Sequence, residues 1–223
     1  MKRYLKFILF LIFAIYTAAL ANMSALAADS SEPQKIIEDS SNIFKARIQD
    51  PEFSQDFRKI NEFVRSVFYP HVNFDLVSSL VLGNNWKEAS PADKENFKNE
   101  FQTLLIRVYA RELAAFKEWD FKFLPMNSEK DERKALIKTQ VLQPSQQPVD
   151  VNYRMLKTND EWKIYDIITD GVSLVETYRT SFKNEIEHAG SLQQVIAELE
   201  QRNTEALTNN KPNIDDEENC FAC

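Results

Sequence analysis

Between Trp162 and Phe182 the spacing of apolar positions changes partway, marking a strand that hands over to a helix. Over residues 162–168 the bulky side chains alternate. Trp162, Ile164 and Ile168 lie to one side and Lys163, Tyr165 and Ile167 to the other, as a pleated strand requires. After Gly171 the apolar positions fall at Val172, Val175, Tyr178, Phe182 and Ile186, one face of a helix over 172–187. Three earlier strands are predicted at 119–124, 135–142 and 149–156. Their short polar connections favour an antiparallel meander.

Helical spacing precedes the strands. Ile36, Ile37, Ile43, Phe44 and Ile48 predict a helix over 33–49. Phe57, Ile60, Phe63, Val64 and Val67 predict a second, separated from the first by Pro51. A third spans 73–82, with Asn73 able to cap it and Gly83 placed to end it. The clearest start signal is Ser90-Pro91-Ala92-Asp93, a capping serine, a first-turn proline and an acid favoured by the helix dipole. That helix buries Phe97, Phe101, Leu104, Leu105, Val108, Tyr109 and Phe116. A last helix is expected over 192–202. The order of helices, then sheet, then helices is α+β: a curved antiparallel sheet of about four strands with helices packed on it. An apolar cavity between sheet and helices fits this architecture.

The residues around the strand-to-helix junction carry more than periodicity. Trp162-Lys163-Ile164-Tyr165-Asp166, followed by Gly171-Val172-Ser173, resembles the C-terminal signature of the MlaC, or toluene-tolerance, family of periplasmic phospholipid carriers. The resemblance extends along residues 33–202 through Asn73-Phe74, Val81-Leu82-Gly83, Trp86, Ser90-Pro91, Phe97, Phe101, Leu104-Leu105 and Tyr109-Ala110, in the family's order. Many relatives have Asp where this chain has Asn73, and either residue caps a helix. The resemblance implies a fold partly like that of nuclear transport factors. It also implies phospholipid as bound cargo with no cofactor, the headgroup near solvent, and a shuttle that maintains outer-membrane lipid asymmetry. The implied partners are an outer-membrane lipoprotein associated with porin and an inner-membrane ABC transporter with its substrate-binding ring.

Candidate lipid contacts are Val149, Val151, Tyr153 and Met155 on one strand face, with Phe121 and Phe123 on another strand. Tyr109 and Phe116 on the long helix join them, as do Val172, Val175 and Tyr178 at the junction. Val172 is the leading choice, a branched side chain expected to point between sheet and helix. The alternative for each is ordinary core packing. Arg179 is read as a solvated helix residue rather than a phosphate ligand.

Targeting agrees with the periplasm. Lys2, Arg3 and Lys6 precede an apolar run over 7–20, and Ala25-Leu26-Ala27 supplies a small-x-small cleavage pattern, so residues 1–27 read as a signal peptide. The run is shorter than the roughly 20 residues of a spanning helix. Cleavage takes Lys+Arg from 27 to 24 against 34 Asp+Glu, and the formal charge from −7 to −10. Such a chain is repelled by nucleic acid and anionic lipid surfaces, which points to protein partners at the membranes. Residues 28–203 then form the lipid-binding domain.

Other chemistries find little material. Asp166, Ser173 and His188 could be named as a hydrolase triad, but Ser173 lacks a Gly-x-Ser-x-Gly elbow. His71 and His188 are the only histidines, too few for a histidine metal cluster. A periplasmic chaperone or scaffold would need only amphipathic helices and a charged surface, which most soluble domains have. Residues 204–223 read as a flexible acidic tail, ending in Cys220-Phe221-Ala222-Cys223 after Asp215, Asp216, Glu217 and Glu218. The acids disfavour thiolates, so a local disulfide between Cys220 and Cys223, or an intermolecular one, is favoured over redox catalysis.

Overall fold

The computed structural model describes residues 32–115, 119–125, 131–144 and 147–211, with side chains undescribed over 110–115. The predicted signal peptide, Phe116 and the Cys220–Cys223 pair lie outside these residues.

Helices α1 (Glu32–Ile48), α3 (Phe57–Val67), α4 (Phe74–Leu82) and α6 (Pro91–Ala115) form where the apolar spacing places them, and two short helices, α2 (Pro51–Ser54) and α5 (Asn84–Glu88), are additions. Side chains cap them as expected. Asn73 accepts the Leu76 N–H at 3.0 Å, and Ser90 accepts that of Asp93 at 3.1 Å. Pro51 opens α2, a four-residue helix between the two predicted ones, with Asp50 as its cap. Gly83 ends α4 at φ 56° and ψ −115°, a conformation that side chains with a Cβ rarely adopt.

Strands β1 (Asp120–Phe123), β2 (Lys134–Leu142), β3 (Val149–Thr158), β4 (Glu161–Thr169) and β5 (Val172–Ser173) form one sheet in sequence order, each neighbour antiparallel. The four expected strands are present, and β5 is an addition. Its source is the two-residue turn Asp170-Gly171, with φ 47° and 87°, the backbone signs of a type I′ hairpin. Val172 is therefore in a strand, and α7 (Leu174–Ala189) begins two residues later than expected. α8 (Leu192–Asn209) closes the described chain.

The register divides the sheet into two faces. Cross-strand partners place Phe121, Phe123, Ala135, Ile137, Val151, Tyr153 and Met155 on one apolar face. Lys138, Gln140, Asn152 and Arg154 lie on the other. A β-bulge between Arg154/Met155 and their partners inserts Tyr165 into β4, so the alternation reverses after it. Ile167, opposite Tyr153, thereby joins Trp162 and Ile164 on the apolar face, while Ile168 crosses to the other. The uninterrupted alternation expected from sequence is corrected in this half of the strand.

Three apolar clusters hold these layers. The largest joins α4, α6, α7 and α8 through Phe97, Phe101, Tyr178, Phe182 and Leu199. A second gathers Phe44, Phe53, Phe57, Ile60, Ile106 and Trp119 beside Phe121 and Val141. The third packs Ile37 of α1 onto Ala135, Ile137, Met155, Trp162 and Ile164 of the apolar sheet face. Val72 bridges β4 at Ile164, and the Asn73 N–H donates to the Ile164 carbonyl at 2.9 Å, so the edge of β4 not paired with β3 is covered there.

A Cβ at position 83 would lie 3.4 Å from the Arg179 guanidinium, on a backbone unsuited to it. Gly83→Ala is expected to cost about 1–2 kcal/mol, read as a lower urea midpoint at unchanged m value. Between α7 and α8, burial pushes Glu185 up to about 7; Arg202 opposes this and Glu198 adds to it. Because the folded value lies above the ordinary 4.5, the folded state binds the extra proton between those pH values. Stability from this group is fully present below about pH 4.5 and is lost as pH rises through 7. Thermal midpoints of the wild type, compared with Glu185→Gln between pH 5 and 8, are expected to show that slope only in the wild type.

Candidate functional site

The junction residues assemble around one carboxylate. Asp166, 4% exposed, accepts from Arg154 Nη1 at 2.8 Å, Ser173 Oγ at 2.7 Å and the Val175 backbone N–H at 3.1 Å. Ser173 in turn accepts the Glu176 N–H at 3.2 Å, which caps α7. The carboxylate thus ties β3, β5 and the first turn of α7 to β4. A charge at this depth is sustained because each contact donates to it, two of them from neutral dipoles at a helix N-terminus.

This arrangement is structural hydrogen bonding that commits Asp166 and Ser173 to the start of α7. His188 stands at the far end of α7, fifteen residues from Ser173 and so roughly 22 Å along the axis. Its Nδ1 is 2.7 Å from the Asn184 carbonyl oxygen. The three residues that could be named as a triad do not converge.

The candidate lipid contacts separate into two groups. Phe121, Phe123, Val149, Val151, Tyr153 and Met155 share the apolar sheet face. Val172 joins them, because its partner Thr169 sits opposite Val151. Val172 does not point between sheet and helix as expected; it is 63% exposed at the sheet edge. Val175 and Tyr178 are placed elsewhere, buried in the helical cluster with Phe101 and Phe182. Tyr109 lies one turn beyond Ile106 on the same side of α6.

Exposure sorts the sheet-face residues further. Met155 is wholly buried, whereas Phe121, Phe123, Val149, Val151 and Tyr153 retain free surface. Sequence reasoning omitted Val141 and Ile167 from this strip. Val141 is visible from its pairing with Val149, while Ile167 is hidden by the bulge. Burial drives the Tyr153 phenol above its ordinary ionisation range, against an opposing hydrogen bond from Thr139, so it stays neutral at ordinary pH. Among the described residues, these side chains form an incompletely covered apolar strip on the sheet face. An open depression of about 380 Å³ lies elsewhere and is mixed in character, lined by Val72, Phe74, Asn73, Asp75, Lys98 and Lys163 among others. No group of three metal-ligating side chains occurs among the described residues, and no helix there is long and apolar enough to cross a membrane.

Comparisons with known proteins bear on this site. Residues 38–201 match the family described as MlaC protein. The intermembrane phospholipid transport system binding protein MlaC of Haemophilus influenzae is 26% identical over 167 residues, 73% of this chain and 77% of that protein. A solved phospholipid-binding protein from Ralstonia solanacearum, in complex with a phospholipid, superposes with a TM-score of 0.72 at 26% identity. The match covers 78% of this chain and 98% of the other.

Removing the carboxylate in Asp166→Ala is expected to cost about 2–3 kcal/mol, since it strands buried donors. Ser173→Ala, which loses the cap, should cost about 1 kcal/mol. Denaturant titration of both variants measures the difference, and equal losses would contradict the hub role of the carboxylate.

Proposed function

The chain belongs to the MlaC family, and from that premise we propose that it is a periplasmic phospholipid carrier. The observation that carries the reading is the half-covered strip Phe121, Phe123, Val149, Val151 and Tyr153, continued by exposed Val172, on one sheet face. A residue that receives an acyl chain needs free surface before the chain arrives, and these have it. The phospholipid held by the similar Ralstonia solanacearum protein supports the same reading.

The physics of such a carrier is set by the acyl chains. Two tails contain on the order of 30 methylenes, each costing about 0.8 kcal/mol in water, so crossing an aqueous gap unassisted costs more than about 20 kcal/mol. An apolar slot whose free energy for the tails is close to that of a bilayer removes most of this cost in both directions. Release then depends on a partner that opens the slot or competes for the tails. The partners we assign are an outer-membrane lipoprotein with porin and an inner-membrane ABC complex with its substrate-binding ring. The cargo moved between them would maintain outer-membrane lipid asymmetry, and export would follow removal of residues 1–27. No cofactor is assigned. The carrier reading is favoured over a lipid hydrolase because Ser173 is committed to capping α7 and His188 lies remote from it.

Native mass spectrometry of detergent-free periplasmic protein, followed by lipid extraction, is expected to find about one intact phospholipid per chain. Lipid-free protein that takes none from vesicles would favour a scaffold, and released fatty acid would favour a hydrolase. Val151→Glu and Val172→Glu each put an unpaired charge on the strip. Both are expected to lose most of the bound lipid. Exposed Val172 should also leave the circular-dichroism spectrum and thermal midpoint nearly unchanged; full lipid content in a folded Val172→Glu protein would remove that residue from the site.

A further inference from the structure

On the side of α3 that meets the last turn of α8, Arg58, Asn61, Glu62, Arg65 and Leu207 line an open groove of about 340 Å³. Arg58 and Arg65 are seven residues apart, two helical turns, and so face the same way about 10 Å from one another along the axis. The Arg65 guanidinium is fixed by neutral acceptors: Asn61 Oδ1 and Gln102 Oε1, each at 2.9 Å, Thr103 Oγ1 at 2.6 Å and the Asn99 carbonyl at 3.3 Å. Among the described residues neither guanidinium has a carboxylate within ion-pair distance. In an acidic chain, this groove presents two arginines without ion-pair partners among the described residues.

The end of α8 lies beside it. Asn210 caps α8, and its side-chain oxygen accepts the Arg58 backbone N–H at 3.0 Å, so the chain leaves the helix at the Arg58 end of the groove. Beyond the described residues the chain continues with Asp215, Asp216, Glu217 and Glu218 in an unbroken run. From Asn210 to Asp215 the chain can reach up to about 17 Å, enough to lay that run along the roughly 10 Å between the two guanidiniums.

We propose that the acidic run of the chain's own C-terminal segment docks in the groove between α3 and α8, its carboxylates paired with Arg58 and Arg65. Charge complementarity and tether length select this occupant. Glu62 opposes it within the groove, while Asp56, at the start of α3, is held by Lys59 at 3.8 Å. A short tether keeps the run at an effective concentration in the millimolar range, so pairings too weak to hold a free peptide suffice. The docked segment would carry Cys220 and Cys223 to the outer side of α3.

The test uses the full chain as Cys220→Ser, with a nitroxide on Cys223 and ¹⁵N-labelled backbone. Amide signals of residues 58–65 are expected to lose most of their intensity. They should recover in 1 M salt, where the screening length is about 3 Å. They should also recover when Asp215→Asn, Asp216→Asn, Glu217→Gln and Glu218→Gln are introduced together, a change that leaves every described residue intact. Arg58→Gln should restore part of the signal. Undiminished signals on α3, or a loss that survives the neutralised tail, would overturn the proposal. So would a loss of the same size in a mixed sample with the nitroxide and the ¹⁵N label on separate chains, since the occupant would then be a second copy.

Discussion

The fold around the candidate site depends on keeping one negative charge buried. Asp166 survives at that depth because Arg154, the Ser173 hydroxyl and the Val175 N–H all donate to it, and because it meets the positive end of α7. These contacts come from a neighbouring strand, an edge strand and a helix start. A single carboxylate therefore sets the angle at which the sheet delivers the chain into α7. The Asp and Ser of the signature are explained by this geometry.

Much of the fold was legible because it rests on local rules. The start of α6 is written in Ser90, Pro91 and Asp93, and the end of α4 in Gly83. The four long strands follow from alternation and short connections. What escaped depends on pairing. β5 is two residues long, too short for any periodicity, although Asp170-Gly171 was the local sign of a tight hairpin. Read as helical spacing, Val172 joined Val175 and Tyr178. Paired with Thr169, it instead belongs with Val151.

The candidate site was legible to the same extent. Six sheet residues named from alternation do share one face, because alternation is what a sheet face is. Which of them keep free surface depends on how α1 and the second apolar cluster lie over the sheet. That depends on contacts between residues far apart in the chain, such as Ile37 with Met155. Neither the depth of Met155 nor the exposure of Val172 has a local signal.

The bulge at Tyr165 gives β4 two parities in one strand. Before it, even-numbered residues face the apolar layer; after it, odd-numbered ones do, and the even position is freed to carry Asp166 to the opposite side. Deleting Tyr165 would restore simple alternation with Asp166 still opposite Arg154 and Ile167 still opposite Tyr153, whereas smoothing out the bulge with every residue kept would turn the carboxylate into the apolar layer and Ile167 out of it. The bulge is what lets two residues four apart, Trp162 and Asp166, face opposite layers of the molecule.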